Sequence, residues 1–236
     1  MNGGTSSIFV SANIPFRPGN PLASRALSAF EFCFGAFIVI GHNVFHIVPN
    51  EVIVLSVVGL ISIRVRDGSW SAMGFKRPAS WQRILLIAFA AAILRILLGQ
   101  FLVEPLTGFF WPKPTAPALA NEITGNMKVA LVALLIVWTF AAFGEEIAYR
   151  GYLLTRAADT GMRSVAAYWI GIVLVSILFG YGHYYKGASG VIDSGIAGLI
   201  LGTAYMLAGR NLWASIFAHG FIDTFGVIDA FCGWSN

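Results

Sequence analysis

Glu145, Glu146 and Arg150 are the residues best placed to do chemistry, within Gly144-Glu145-Glu146-Ile147-Ala148-Tyr149-Arg150-Gly151. They follow a run from Val129 to Phe143 in which every residue is apolar or small apart from the hydroxyl of Thr139. Inserting such groups into hydrocarbon costs about 2.5 to 3.5 kcal/mol each, so a membrane helix that keeps them there uses them. Glu146 and Arg150 stand at i and i+4 with the acid first, the better order for a helical ion pair. Glu145 points about 100° away and lacks that partner, which leaves it able to carry or receive a proton. Both glutamates could instead serve a single structural network around Arg150.

Two later stretches add polar groups to apolar surroundings. Phe179-Gly180-Tyr181-Gly182-His183 comes late in one hydrophobic segment, and Phe217-Ala218-His219-Gly220-Phe221-Ile222-Asp223 lies within another. His219 and Asp223, at i and i+4, share a helix face. A histidine in a membrane helix can be simply an interhelical hydrogen bonder. With Glu145, however, three separate segments each contribute such groups, and one shared polar cavity is cheaper than three separate buried defects. A carboxylate and a histidine facing one water can deprotonate it, and a second histidine with an acid can hold the oxyanion formed at a carbonyl. Glu145, His183 and His219 are equally the ligand types of a catalytic zinc site whose fourth position is left to water. Both arrangements lead to hydrolysis, and the sequence does not choose between them.

The elements that must position these residues are membrane helices. The chain is 57% hydrophobic and 11% charged, against about 25% charged in an ordinary soluble domain. The fold class expected is all-α, a polytopic helical bundle of about seven transmembrane spans. Hydropathy places them near Leu27 to Val48, Val52 to Val65, Ile84 to Val103, Lys128 to Leu154, Val165 to Gly182, Ile192 to Leu207 and Leu212 to Phe231. The organisation expected is a tail over 1–26 and a single membrane domain over 27–236, with the motifs gathered in 128–236. Met1 to Arg25 lacks a basic region leading into a short apolar core, and reads as a tail rather than a cleaved signal.

Arg64, Arg66, Lys76, Arg77 and Arg83 sit between spans two and three with the single acid Asp67, which makes that loop cytoplasmic. The same side then receives Arg17, Arg25, Arg156, Arg163 and Arg210, and the opposite side Lys113, Lys128 and Lys186. The N-terminus is thus expected inside. Counting helix rise from that side puts Glu145 and Asp223 near mid-depth and His183 nearer the outer face. Pro105, Pro112, Pro114 and Pro117 make the outer segment from Glu104 to Asn126 an irregular connection rather than a helix throughout. Ser194, Gly198 and Gly202 form a small-residue stripe that lets another helix approach. Arg95, inside the third span, must pair with a carboxylate or snorkel. His42 and His46 read as an interfacial pair, and Tyr149, Tyr181 and Tyr184 as aromatic packing. Cys33 and Cys232 read as small buried hydrophobes without chemistry. Nothing suggests nucleic-acid binding.

Glu-Glu-x-x-x-Arg, Phe-x-x-x-His and His-x-x-x-Asp, in that order on successive apolar segments, resemble the CPBP family of intramembrane proteases, which includes the CAAX prenyl endopeptidases and bacteriocin-processing or immunity proteins. The resemblance covers the chain from about Val129 onward. It implies an intramembrane endopeptidase acting on a membrane-associated protein or peptide. It also implies Glu145 and His183 as the water-activating pair, Glu146 and Arg150 as their structural ion pair, and His219 and Asp223 as stabilising the oxyanion or completing the site. Zinc, on Glu145, His183 and His219, remains the open cofactor. CAAX-type members often carry Asn at the last position. Asp223 donates a hydrogen bond only when protonated, which favours orienting His219 or supporting a metal. The compact chain and short loops look bacterial, so the cytoplasmic (inner) membrane is the expected location. The alternative is a non-catalytic protein that uses the same cavity for proton-coupled transport, or an immunity or scaffold role, although the two halves show no inverted repeat.

Overall fold

A computed structural model of the chain describes residues 24–111 and 118–234, without the side chains of 118–120. Most of the tail expected over 1–26, including Arg17, and the residues Pro112, Lys113, Pro114 and Pro117 lie outside the described residues. The described residues are helical and contain no strand, in helices α1 (Arg25–Asn43), α2 (Glu51–Asp67), α3 (Trp81–Phe110), α4 (Ala118–Ile123), α5 (Met127–Thr160), α6 (Val165–Tyr181), α7 (Gly187–Leu207) and α8 (Leu212–Cys232). Five helical stretches are long and apolar enough to cross a membrane: α1, α3, α5, α8 and Tyr184–Leu207, which joins a short turn to α7. The 17-residue α2 and α6 occupy the other two positions expected for spans.

Short polar side chains mark where these helices begin. Ser24, Asn50, Ser80, Asn126, Ser164 and Asn211 each accept a hydrogen bond from a backbone N–H of the first turn, satisfying donors that the helix itself cannot. The outer surface carries large apolar side chains such as Phe30, Phe37, Leu86, Phe109 and Leu135, the surface a helical bundle presents to lipid.

α5 organises the interior. Its first half is largely exposed, whereas residues 146–159 are all buried. Tyr149, Tyr152, Leu153 and Leu154 join Leu55, Ile172, Tyr205, Leu212 and Ile216 in the main core. Much of α5 is wound as π-helix, over Val137–Glu145 and Ile147–Leu153. Such turns concentrate at functional sites, and no hydropathy pattern announces them.

Several expectations need correction. α3 stays helical to Phe110, because a π-turn at Gly99–Val103 precedes Pro105 and leaves that proline within the first turn of the next α segment, where a missing N–H costs little. α5 continues six residues beyond Leu154 to Thr160, since Arg156 and Asp159 are neutralised inside the protein. Cys33 and Cys232 are exposed on the bundle surface rather than buried. The small-residue stripe does bring α6 and α7 together: a Cβ on Gly198 would lie 2.9 Å from Ser176, and one on Gly202 2.7 Å from Ile172.

One end of the bundle is clamped by charge. Arg156, 1% exposed, bonds Glu31 at 2.8 Å, Asp67 at 3.0 Å and Asp159 at 2.9 Å. Arg66 pairs with Glu31 at 2.9 Å, and Arg163 with both Asp67 and Asp159. Three acids and three arginines thus tie α1, α2 and α5 together. Arg66 and Asp67, read from the sequence as loop charges, belong to this interior lattice.

Candidate active site

The π-helical turns of α5 carry the paired glutamates into the core. Glu146 is fully buried, and Arg150 one turn on is 1% exposed. Arg150 Nη1 donates to Glu146 Oε1 at 2.7 Å, and its Nη2 donates to the Gly198 carbonyl on α7 at 3.2 Å. The expected ion pair is therefore present, and the close approach of Gly198 supplies Arg150 with a second hydrogen-bond partner.

The same Glu146 oxygen holds His219 of α8, whose Nδ1 lies 2.9 Å away. A carboxylate paired with arginine can only accept, so His219 Nδ1 carries the proton. Its Nε2 faces Asp223 Oδ2 at 3.6 Å, one turn along α8. His219 is thus fixed from both sides. Nothing in the spacing of residues 146 and 219 predicts this link.

His183 lies just beyond the end of α6, in the turn that leads to Tyr184–Lys186. Its Nδ1 is 2.9 Å from the Phe179 carbonyl. A carbonyl has no proton to give, so Nδ1 donates and Nε2 keeps its lone pair. Phe179 closes the depth gap expected between His183 and the other groups. Its ring centroid is 4.9 Å from that of His183 and 5.9 Å from that of His219, and the Arg150 guanidinium sits 4.4 Å above it. The Phe-x-x-x-His spacing contains this residue, but its apolar type hid its part as the floor joining three polar groups. Tyr149 packs edge-on against the same ring at 5.1 Å, as the aromatic-packing reading expects, while Tyr181 and Tyr184 are exposed.

Glu145 is left free of these bonds. Its Oε2 is buried without a hydrogen-bond partner, and its charged neighbours are His219, Asp223, Glu146 and Arg150. Glu146 Oε2 is likewise buried without a partner, but its Oε1 is held by Arg150 and His219, whereas no hydrogen bond to the Glu145 carboxylate is recorded among the described residues. A buried unpartnered carboxylate oxygen calls for a water or a ligand to satisfy it. Asp223 and His219 are thus neighbours of Glu145, while His183 meets His219 across the Phe179 ring.

The three-ligand metal arrangement does not form. Among the described residues no group of three or more His, Cys, Asp or Glu has the geometry to hold an ion, and Nδ1 of His219 is already committed to Glu146. His219 keeps Nε2 for another partner, so its bond to Glu146 does not itself bar a metal.

Residues 127–225 match the family model described as type II CAAX prenyl endopeptidase Rce1-like. The match supports the CPBP/CAAX protease family. The matched segment runs from the start of α5 into α8 and contains every motif residue, Glu145, Glu146, Arg150, His183, His219 and Asp223. No curated protein and no solved structure matches the chain significantly. The match supports a CAAX-type intramembrane protease at the family level, and five helices long and apolar enough to cross a membrane fit an integral membrane protein.

Outside this segment, Arg95 finds its carboxylate in Asp193, an acid of α7 that the sequence analysis passed over. His42 bonds the Val48 carbonyl at 2.9 Å and approaches Glu51 at 3.2 Å. It pairs with Glu51 rather than with His46.

Proposed function

We propose that the chain hydrolyses a peptide bond in a membrane-associated protein or peptide, with water activated by Glu145 and His183. The observation that carries the reading is the buried, unpartnered Glu145 Oε2 beside Glu146, whose Oε1 is already taken by Arg150 and His219. Glu145 takes a proton from water as the hydroxide attacks the scissile carbonyl, then returns it to the leaving amine, so no proton is lost over the cycle. His183 orients the same water through the free lone pair on Nε2. His219 stabilises the oxyanion from Nε2, held by the Glu146 contact at Nδ1, with Asp223 one turn along α8 orienting the ring. Glu146 and Arg150 are positioning residues. No step runs through a metal.

The basic-residue distribution supports an N-terminus on the cytoplasmic side, and the compact chain with short loops favours a bacterial inner membrane. The transport alternative draws on the same residues and has no separate observation behind it.

Purified wild type and the Glu145→Ala and His183→Ala variants, in liposomes with solubilised membrane protein, test the reading by amine labelling of new termini. Only the wild type is expected to generate them while all three retain the same helix content. Wild-type turnover by either variant refutes the assignment.

A further inference from the structure

A groove of about 360 Å³ runs between α3 and α7, lined by Leu86, Ala90 and Leu94 on one side and Leu199, Thr203 and Leu207 on the other. Each trio is a stripe at i, i+4 and i+8, so the groove follows both helix axes. Its volume lies within the range of about 300 to 1,000 Å³ usual for small-ligand sites.

The groove ends among cations. Leu207, the last residue of α7, gives its carbonyl to Arg83 Nη2 at 3.0 Å. Lys76 Nζ donates to the next turn at Gly209 O, at 3.3 Å. The Lys76 segment is pinned there, with Leu212 N bonded to Gly74 O at 2.9 Å and Asn211 Nδ2 to Lys76 O at 3.2 Å. Arg210 lies over the Tyr168 ring at 4.9 Å and close to Lys76. Partial burial, then the charge of Arg210, pushes the Lys76 amine below its ordinary value.

Among the described residues neither Lys76 nor Arg83 has a carboxylate partner, and the acids of this end, Glu31, Asp67 and Asp159, are held by Arg66, Arg156 and Arg163. Trp81, exposed beside Arg83, supplies the interfacial aromatic.

We propose that this is a binding site for one anionic phospholipid, its phosphate on Lys76 and Arg83 beside Arg210 and one acyl chain along the groove. Leu207 joins the halves: it lines the apolar channel and its carbonyl anchors the arginine at its mouth. Anionic headgroups are enriched where the basic end of a membrane protein faces the cytoplasm.

The test is native mass spectrometry of the full chain in detergent with phosphatidylglycerol or phosphatidylcholine of identical acyl chains. The wild type is expected to retain one phosphatidylglycerol in preference to phosphatidylcholine. Lys76→Gln and Arg83→Gln should each weaken that preference about fivefold, and together about 30-fold, as expected for basic groups at an anionic surface. Each single variant keeps the other helix-end bond, so one folded species is secured. Ala90→Phe, which fills the groove and leaves the cations intact, should reduce retention of both lipids. Equal retention of the two lipids by the wild type would overturn the proposal. So would an unchanged preference in the double variant, full retention in Ala90→Phe, or displacement by free glycerol phosphate. A groove that releases either lipid equally to a farnesylated peptide would belong to a hydrocarbon-tailed substrate instead.

Discussion

His219 Nδ1 reaches Glu146 Oε1 at 2.9 Å across 73 positions of sequence, onto the oxygen that Arg150 holds at 2.7 Å. The ion pair that stabilises the core of α5 is thereby also the support that aims a histidine of α8. Stability and chemistry are joined at one carboxylate.

Glu146→Ala and Arg150→Ala should each leave an uncompensated buried charge, at a cost of about 3 to 5 kcal/mol. Thermal unfolding in detergent measures this as a large fall in midpoint together with reduced yield. Glu146→Gln keeps the shape, and should lower turnover more than stability because His219 loses its charged anchor. Wild-type yield and activity from both alanine variants would remove the ion pair from the account.

Arg156 should be the costliest residue to change outside the site. Arg156→Met leaves Glu31, Asp67 and Asp159 facing one another with fewer cations, a loss of about 3 to 5 kcal/mol for a broken buried network. The exposed Arg64, which among the described residues bonds the Gly68 carbonyl, should give a change within about 0.5 kcal/mol as Arg64→Gln. Equal melting temperatures for the two variants would contradict the clamp.

The helix contacts give a paired test. Gly198→Val drives a side chain against Ser176, where even a Cβ would stand 2.9 Å away, and should cost about 1 to 3 kcal/mol by overpacking. It should also disturb Arg150, whose Nη2 bonds the Gly198 carbonyl. Gly226, in α8 with nothing within 4 Å of its Cβ position, should be stabilised as Gly226→Ala by about 0.5 to 1 kcal/mol.

Arg95 and Asp193 should show compensation. Either residue changed alone to leucine leaves the other charge unpaired in the bundle, whereas Arg95→Leu with Asp193→Leu removes both and should recover about half or more of the lost stability. An additive double variant would mean that the two do not form a unit in the membrane.

Much of this architecture was legible in the sequence. The apolar runs located each long helix, and the i and i+4 spacing of Glu146 and Arg150 foretold their bond, because both signals are local. What stayed hidden depends on tertiary contact. The His219 to Glu146 bond, the Asp193 partner of Arg95 and the three-acid clamp on Arg156 join distant segments. The π-turns of α3 and α5 have no distinctive pattern, and one of them let α3 run past Pro105. Arg95 did carry a usable signal, since a guanidinium within an apolar span demands an acid and Asp193 lies in the sixth. The expected metal ligands Glu145, His183 and His219 are not gathered as a group of three among the described residues, because they sit on separate segments whose placement no local spacing fixes.

The central claim is that Glu145 performs peptide hydrolysis. It is tested most directly by comparing peptide termini in membranes from cells carrying the wild type or Glu145→Ala at matched expression. The account predicts termini present only with the wild type, which would also identify the substrate. Indistinguishable termini across several growth conditions, with both proteins folded in the membrane, would contradict it.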